Sequence, residues 1–526
     1  MKEHDNTDVM KGALLLTLAG LAGKVLSAGY RIPLQNLTGD VGFYIYQQVY
    51  PFLGIVTILS LYGFPSAISQ ITAELLARGR GVSFRHFYAP VFILLFIMMA
   101  GVFLLLFSQA GELAKLVGDV HLTGVYRLAA FIFLLVPFTA LLRGVLQGTG
   151  QMKPTAFSQI AEQFIRVFLI IGAAVWISVS TVSYYAIGQA AVIASMAGML
   201  AAIIILTMFF VRNRSPAARE ARTPWRYYTG VLLTVGIAAA MNHSVLILMQ
   251  LADTFTLVPG LTADGWTKLE AMAAKGVFDR GQPLIQLGTV LGSSFALTLL
   301  PAVSGEITAK DSKALHLPVQ RALAVSFYLA AGATVGLMVI FPEANRLLFQ
   351  NDDGTGSLRI LVMAILLSSI GITAASILQG LGYVKQTAFF VAAAFVIKVL
   401  GNVMLVPRLG ITGSALATVI GSAFLAALML ITLKQKMPQL ALGKQVNWRA
   451  LLLAITGMVA FLAGMDWLME PIISRAGLLL YVLFISVTGG AVYLLLLLRQ
   501  GAFRKTDLSM LPLAGLWIRL HKERDS

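Results

Sequence analysis

Long apolar stretches separated by short polar ones fill almost the whole chain. A bilayer-spanning helix needs about 20 predominantly apolar residues. Runs of that kind fall at about 10–37, 44–76, 87–109, 122–146, 154–178, 184–211, 226–252, 283–305, 318–342, 357–380, 385–406, 410–433, 448–468 and 476–498. They predict an all-α polytopic membrane protein with fourteen transmembrane helices. Pro33, Pro51, Pro65, Pro137 and Pro301 interrupt several runs. Such breaks are tolerated at membrane depth where a helix lines a cavity or packs on a neighbour. The longest connection, 253–282, contains G-W-T-K-L-E-A-M-A-A-K and predicts a short interfacial helix. The tail segment 508–522, apolar with Trp517 and a basic end, predicts an amphipathic stretch on the inner leaflet.

The pattern repeats. L-Q-G-T-G-Q-M-K-P-T-A-F (146–157) returns 232 residues later as L-Q-G-L-G-Y-V-K-Q-T-A-F (378–389), and the same register carries Arg166 onto Lys398. P-S-A-I-S-Q-I-T-A (65–73) likewise resembles P-A-V-S-G-E-I-T-A (301–309). Both pairs lie six helices apart. An even shift preserves orientation, so the chain divides into two parallel six-helix lobes related by an axis along the membrane normal. Transporters that rock two bundles about a central site are built this way. The expected organisation is an N-terminal lobe over 1–211 (helices 1–6), a basic cytoplasmic linker over 212–226 and a C-terminal lobe over 227–434 (helices 7–12). Two appended helices over 435–498 and a cytoplasmic amphipathic tail over 499–526 complete it.

Composition narrows the class further. Of 526 residues, 58% are hydrophobic and only 12% charged, against about 25% charged in a soluble domain. The absence of cysteine excludes disulfides, thiolate metal sites and catalytic thiols. The net charge of +16 would suit nucleic acid, but positive cytoplasmic loops explain it. With the N-terminus inside and fourteen spans, 26 of the 39 Lys and Arg fall on inner segments, nine on outer ones and four within spans. Both termini are therefore expected in the cytoplasm. The acidic start M-K-E-H-D-N-T-D and the lack of a small-residue cleavage site mark the first run as a retained helix rather than a signal peptide.

Charges inside spans carry the candidate chemistry, because a charge at bilayer depth normally faces a cavity or a partner. Lys24 and Arg31 are seven residues apart, two helical turns, and so share a face about 10 Å apart along the axis. That face is expected to line a water-filled path for an anion. Arg31, nearer the outer end, has snorkelling to the interface as its alternative. Glu162 and Arg166 have the i, i+4 spacing of an intrahelical pair, structural or cavity-lining. Lys398 takes Arg166's place in the second copy with Ala394 in place of the acid, and is expected to face the cavity or another partner. Arg280 follows Asp279, a potential helix-start residue, and is expected at the outer mouth. Asn242, His243, Gln250 and Asp253 supply polar lining or ion coupling. The duplicated Q-G-x-G follows no strand and lacks the lysine and hydroxyl placement of a phosphate loop; it reads as a helix–turn–helix junction. Neither a catalytic constellation, nor a metal-ligand cluster, nor a cofactor motif emerges.

These features together resemble the multidrug/oligosaccharidyl-lipid/polysaccharide exporter superfamily, and within it the MurJ/SpoVB/YtgP-like branch. The residues that carry the resemblance are K-V-L-S-A-G-Y-R (24–31), P-L-Q-N-L-T-G-D-V-G-F-Y (33–44), Y-G-F-P-S-A-I-S-Q (62–70), D-R-G-Q-P-L-I-Q-L-G (279–288) and L-Q-G-L-G-Y-V-K (378–385). The resemblance implies a non-enzymatic flippase of the bacterial plasma membrane. Its substrate would be a polyprenyl-diphosphate-linked saccharide moved from the inner to the outer leaflet by alternating access. It implies cavity cations at Lys24, Arg31 and Arg280. The second-helix arginine of some members is missing, since no Lys or Arg lies between Val41 and Ala77. Membrane lipids are the other expected partner, the chain is expected to act as a monomer, and drive comes from the membrane potential or an ion gradient. A cation-coupled drug antiporter of the same fold would want acids in the spans, where Glu162 is the clear candidate. A membrane glycosyltransferase or polymerase would need catalytic carboxylates among Asp253, Asp264, Glu270 and Asp279.

Overall fold

The computed structural model describes residues 2–79, 83–212, 225–297, 312–441, 443, 446–468 and 474–503. The segment 301–309, most of the 212–226 linker and the tail 508–522 lie outside the described residues. Among the described residues every element is a helix. Twelve helical stretches are long and apolar enough to cross a membrane. The expected count of fourteen differs at two places. The first two runs join into one continuous helical stretch, Leu18–Ala77. The eighth is described only as Gly281–Leu297, which is 17 residues long.

By contact the chain forms two compact units. The first comprises 1–279 with 384–395 and 402–408; the second holds the remainder. The boundary falls after Asp279 rather than in the expected linker, so the seventh helix belongs with the first unit.

In the first unit α1 is Lys2–Gly29, α2 is Arg31–Ile58 and α3 is Phe64–Ala77. Gly39 breaks the helical path of α2 with φ 67°, ψ −175°, a left-handed conformation that glycine adopts without penalty. A π-helical turn, Leu59–Gly63, joins α2 to α3. Next come α4 (Ala89–Ser108), α5 (Val136–Gly148), α6 (Lys153–Ser178) and α7 (Tyr185–Arg212). Helix α4 is apolar all round, and Ile97, Leu104 and Leu105 are exposed on it, as suits contact with lipid.

The seventh helix starts at Trp225–Val231 and passes through a second π-helical turn, Leu232–Gly236. It continues as α8 (Ile237–His243) and α9 (Val245–Ala263). It runs antiparallel to α2–α3 along a seam of small residues. A Cβ on Gly54 would meet Ile247 Cδ1 at 2.8 Å, and one on Gly63 would meet Ala240 Cβ at 2.9 Å and Gly236 O at 3.0 Å. Tyr62 stacks on His243, and Tyr227 donates a hydrogen bond to Glu74 further along. The two π turns therefore oppose one another where the backbones come closest. A Cβ placed on Gly236 lies 3.5 Å from Ala67 Cβ, within the span a disulfide bridges. In this cysteine-free chain the double variant Ala67→Cys, Gly236→Cys is expected to cross-link in membranes on mild oxidation. A reducible mobility shift on a gel reads it, and its absence would mean the seam does not form.

The last element of this unit, α10 (Lys268–Asp279), realises the short helix expected in the 253–282 connection. Thr267 and Glu270 cap its start reciprocally: Thr267 N–H donates to the Glu270 carboxylate at 3.0 Å and Glu270 N–H to Thr267 Oγ1 at 3.4 Å. Lys268 pairs with buried Asp119 at 2.8 Å. Gly276 lets the helix close on α2, because a Cβ there would lie 2.8 Å from the Asp40 carbonyl carbon and overlap its oxygen.

The second unit contains α11 (Gly281–Leu297), α12 (Ser312–Val339), α13 (Thr355–Val362) and α14 (Ala364–Gly380). Its remaining helices are α16 (Ile411–Lys436), α17 (Trp448–Leu468) and α18 (Arg475–Arg499); α15 (Val384–Leu409) is shared between the units. The appended pair α17–α18 docks on α12 around Tyr328, whose carbonyl accepts from Tyr493 OH at 2.7 Å.

The repeat recurs as hydrogen bonds. At the end of α5, Thr149 N–H donates to Val145 O, Gly150 to Gln147 O and Gln151 to Leu146 O. At the end of α14, Leu381 donates to Ile377 O, Gly382 to Gln379 O and Tyr383 to Leu378 O. Gly150 and Gly382 have φ of 80° and 91°, the left-handed residue of a helix C-cap. The duplicated Q-G-x-G is thus a helix end followed by a new helix.

Candidate functional site

Lys24 is exposed although its face of α1 is not. Leu18, Ala22, Val25, Leu26 and Gly29 form an exposed stripe, as a lipid-facing surface would. Lys24 projects from the opposite side with Gly20, Ser27 and Arg31, given 3.6 residues per turn. There Ala28 and Arg31 are 0% exposed and Ser27 is 8%. The ammonium thus opens into a recess between buried positions. Neighbouring helices supply its walls. Tyr62 OH lies 3.4 Å from where a Gly20 side chain would begin, Gln159 Nε2 lies 3.7 Å from the same point on both Gly20 and Gly23, and Gln163 Cγ lies 3.5 Å from it on Gly23. His243, exposed between buried Asn242 and Ser244, stacks on Tyr62 with ring centres 4.2 Å apart and planes 18° from parallel. It lies within electrostatic reach of Lys24.

Arg31 is enclosed instead. Its Nε donates to Ser27 O at 2.9 Å and its Nη2 to Ser27 Oγ at 3.3 Å. The guanidinium sits 3.9 Å from the centre of the Tyr50 ring, a cation–π contact, with Tyr30 and Tyr46 hydrogen-bonded to each other alongside. Arg31 therefore does not snorkel to an interface.

Glu162 and Arg166 do pair, at 2.9 Å, and a third residue completes the group. Arg143 Nη2 meets the other Glu162 oxygen at 2.8 Å, and Arg143 also donates to Ser60 O and Ser158 Oγ. Side-chain exposures of 0% for Arg143, 1% for Glu162 and 7% for Arg166 make this a buried two-cation, one-anion triad. Gly198 on α7 packs directly against the Glu162 backbone. Sequence reasoning did not single out Arg143. The signal that could have found it is its place inside the apolar run 122–146.

The remaining polar candidates in the first unit are buried. Asp253 accepts from Asn402 Nδ2 at 2.8 Å, and the same nitrogen contacts Thr256 Oγ1 at 2.7 Å. Asn242 Nδ2 donates to Val384 O at 3.2 Å. Gln250 Oε1 has no hydrogen-bond partner among the described residues. Lys275 is buried and pairs with Asp279 at 2.6 Å, so Asp279 serves an ion pair rather than a free helix cap.

In the second unit Arg280 is buried rather than open at a mouth. It donates to Asn351 Oδ1 and lies 5.3 Å from the centre of the Phe349 ring. Lys398 is 0% exposed, with Nζ 2.8 Å from Ser414 O, 2.9 Å from Ser414 Oγ and 2.7 Å from Thr418 Oγ1. The position that holds a charged pair in the first copy is satisfied by neutral oxygens in the second. No group of three or more His, Cys, Asp or Glu able to hold a metal ion occurs among the described residues.

The arrangement is an open ammonium on a path-like face, backed by buried charge networks that fix the helices around it. Residues 9–305 match the family described as polysaccharide biosynthesis protein. The membrane protein YabM of Bacillus subtilis (strain 168) is 37% identical over 98% of this chain and 97% of its own length. The lipid II flippase MurJ of the same organism is 22% identical over 96% of this chain and 98% of its own. A solved structure of lipid II flippase MurJ, in an inward closed conformation, superposes with a TM-score of 0.65 at 13% identity, covering 92% of this chain and 98% of that one; it shares the fold. A multi-pass membrane transporter related to flippases, this chain belongs to the polysaccharide biosynthesis protein family.

Proposed function

We propose that the protein flips a polyprenyl-diphosphate-linked saccharide from the inner to the outer leaflet of the bacterial cell membrane by alternating access, without catalysing a reaction. A diphosphate does not cross about 30 Å of hydrocarbon unaided; it needs a cation at depth while the polyprenyl chain stays in lipid. The exposed Lys24, open on a face whose neighbouring positions Ser27, Ala28 and Arg31 are buried, is the observation that carries the reading. Kinship with a lipid II flippase supports it. Arg31, Arg280 and Lys398, enclosed in this state, would meet the substrate only after rearrangement. Drive comes from the membrane potential or an ion gradient, with Asp253 the buried carboxylate suited to sense it. Both termini are cytoplasmic in this scheme. An antiporter for cationic drugs is disfavoured, because Glu162 is already held by two arginines.

Lys24→Gln is expected to reach the membrane at the normal level and to abolish flipping. In a depletion strain carrying it, mass analysis of lipid extracts should show the same lipid-linked precursor accumulating as in the absence of the protein. Normal precursor levels would remove Lys24 from the path, and the identity of the accumulated lipid names the saccharide.

A further inference from the structure

The recess beside Lys24 contains a second ionisable group that the proposed transport reaction leaves unused. His243 comes from the seventh helix and Lys24 from the first; both are exposed, His243 between buried Asn242 and Ser244 and Lys24 on the face that carries buried Ser27 and Arg31. The imidazole is held against Tyr62, which fixes its plane. The seam explains why the ring sits there. Small residues at Gly63, Gly236 and Ala240 bring the two helices together one turn away, and the π-helical turn Leu59–Gly63 ends the stretch that presents Tyr62. Single π-helical turns inside α-helices are frequent at functional sites.

The groups around His243 decide its charge. Lys24 faces it from α1 and Tyr62 from the π turn, with Arg143 acting on Tyr62 from behind. Helices α2 and α3 present Gly54, Phe64 and Ala67 to the seventh helix, none of them titratable. The described surroundings thus offer cations and a phenol but no carboxylate. A doubly charged anion entering the recess favours the protonated ring, because it attracts that ring more strongly than Lys24 repels it.

We propose that His243 takes up a proton from solvent as a diphosphate binds beside Lys24, so that imidazolium and ammonium hold the anion together. This rests on the reading of the Lys24 recess as the substrate site and adds a second, switchable ligand to it. Anion capture then becomes proton-linked: affinity rises as pH falls through the imidazole range, and release on the more alkaline side returns the proton. The histidine acts as a binding residue, since it touches the substrate and no bond of the substrate changes.

The test uses the purified full chain in lipid nanodiscs with farnesyl diphosphate as probe. Calorimetric titration at pH 6 and pH 8, in two buffers of different ionisation enthalpy, measures affinity and protons exchanged together. Wild type is expected to bind about tenfold more tightly at pH 6, the effect of one unit of differential protonation, with net proton uptake. His243→Gln and His243→Phe should lose the histidine's share of both, and His243→Phe keeps a ring on Tyr62, so equal melting temperatures separate this from misfolding. The probe's own titration is common to all variants and cancels in the comparison. Variants that keep the wild-type pH slope and proton uptake overturn the proposal. If farnesyl diphosphate fails to bind, or Lys24→Gln leaves its affinity unchanged, the substrate site itself is misassigned and the inference falls with it.

Discussion

Glu162→Ala is expected to be the most destabilising single substitution in the first unit, by about 3–5 kcal/mol. It leaves the guanidinium groups of Arg143 and Arg166 facing one another in a buried space with no anion between them. Desolvation of each cation is offset at present by two short hydrogen bonds to one carboxylate. Removing that carboxylate leaves the full penalty and adds mutual repulsion. Thermal unfolding of the purified protein, followed by loss of monodispersity on size exclusion, reads the effect. The comparison that isolates the cause is the triple replacement of Arg143, Glu162 and Arg166 by leucine, because deleting a buried ion group entirely is often near neutral in stability. If Glu162→Ala proves milder than the triple variant, the three charges do not share one buried site.

Gly276→Val is the second large effect. Helix α10 approaches α2 so closely that any side chain at 276 overlaps the Asp40 carbonyl, and the obstructing atoms are backbone, which has no rotamer to change. The helix must lift away, and with it the buried Lys275–Asp279 pair. Overpacking of this kind costs about 1–3 kcal/mol and occasionally more. Because Asp279 ends α10 where Arg280 begins the second unit, the displacement is also expected to abolish the proposed transport. Gly276→Ala should show a smaller fall in melting temperature in the same direction. Wild-type stability in Gly276→Val would mean that α10 does not rest on Asp40.

Much of the fold is legible in the chain itself, for reasons that lie in the solvent. Lipid forces every spanning backbone into helix and confines charge to ends and cavities, so runs, loops and the Lys24–Arg31 face are written in the periodicity of the chain. The Glu162–Arg166 pair is legible because its partners are one turn apart. Arg143 is not: it reaches Glu162 from a different helix, and nothing local distinguishes an arginine near a helix end from one turned inward. Arg280 is misplaced by sequence for the same reason: its segment looks like an outer connection, whereas Asn351 and Phe349 enclose it. The unit boundary eludes sequence reasoning because the seam that joins the seventh helix to α2–α3 pairs residues about 170 positions apart, through glycines and alanines that look unremarkable in any apolar run. The stacking of His243 on Tyr62 is equally invisible, since periodicity assigns a face and not the ring that meets it.

The matched helix ends at Gly150 and Gly382 separate what the repeat shares from what it does not. The two copies of the repeat share the same three hydrogen bonds because the left-handed residue at that corner admits little besides glycine. Sixteen residues further on, no such restraint applied: one copy holds an arginine clamped by an acid, the other a lysine cradled by Ser414 and Thr418. The joints share their geometry while the cations beyond them do not share their partners. An exchange of the two halves within the gene would therefore be expected to restore the bends of the polypeptide while leaving each cation without the neighbours that now hold it.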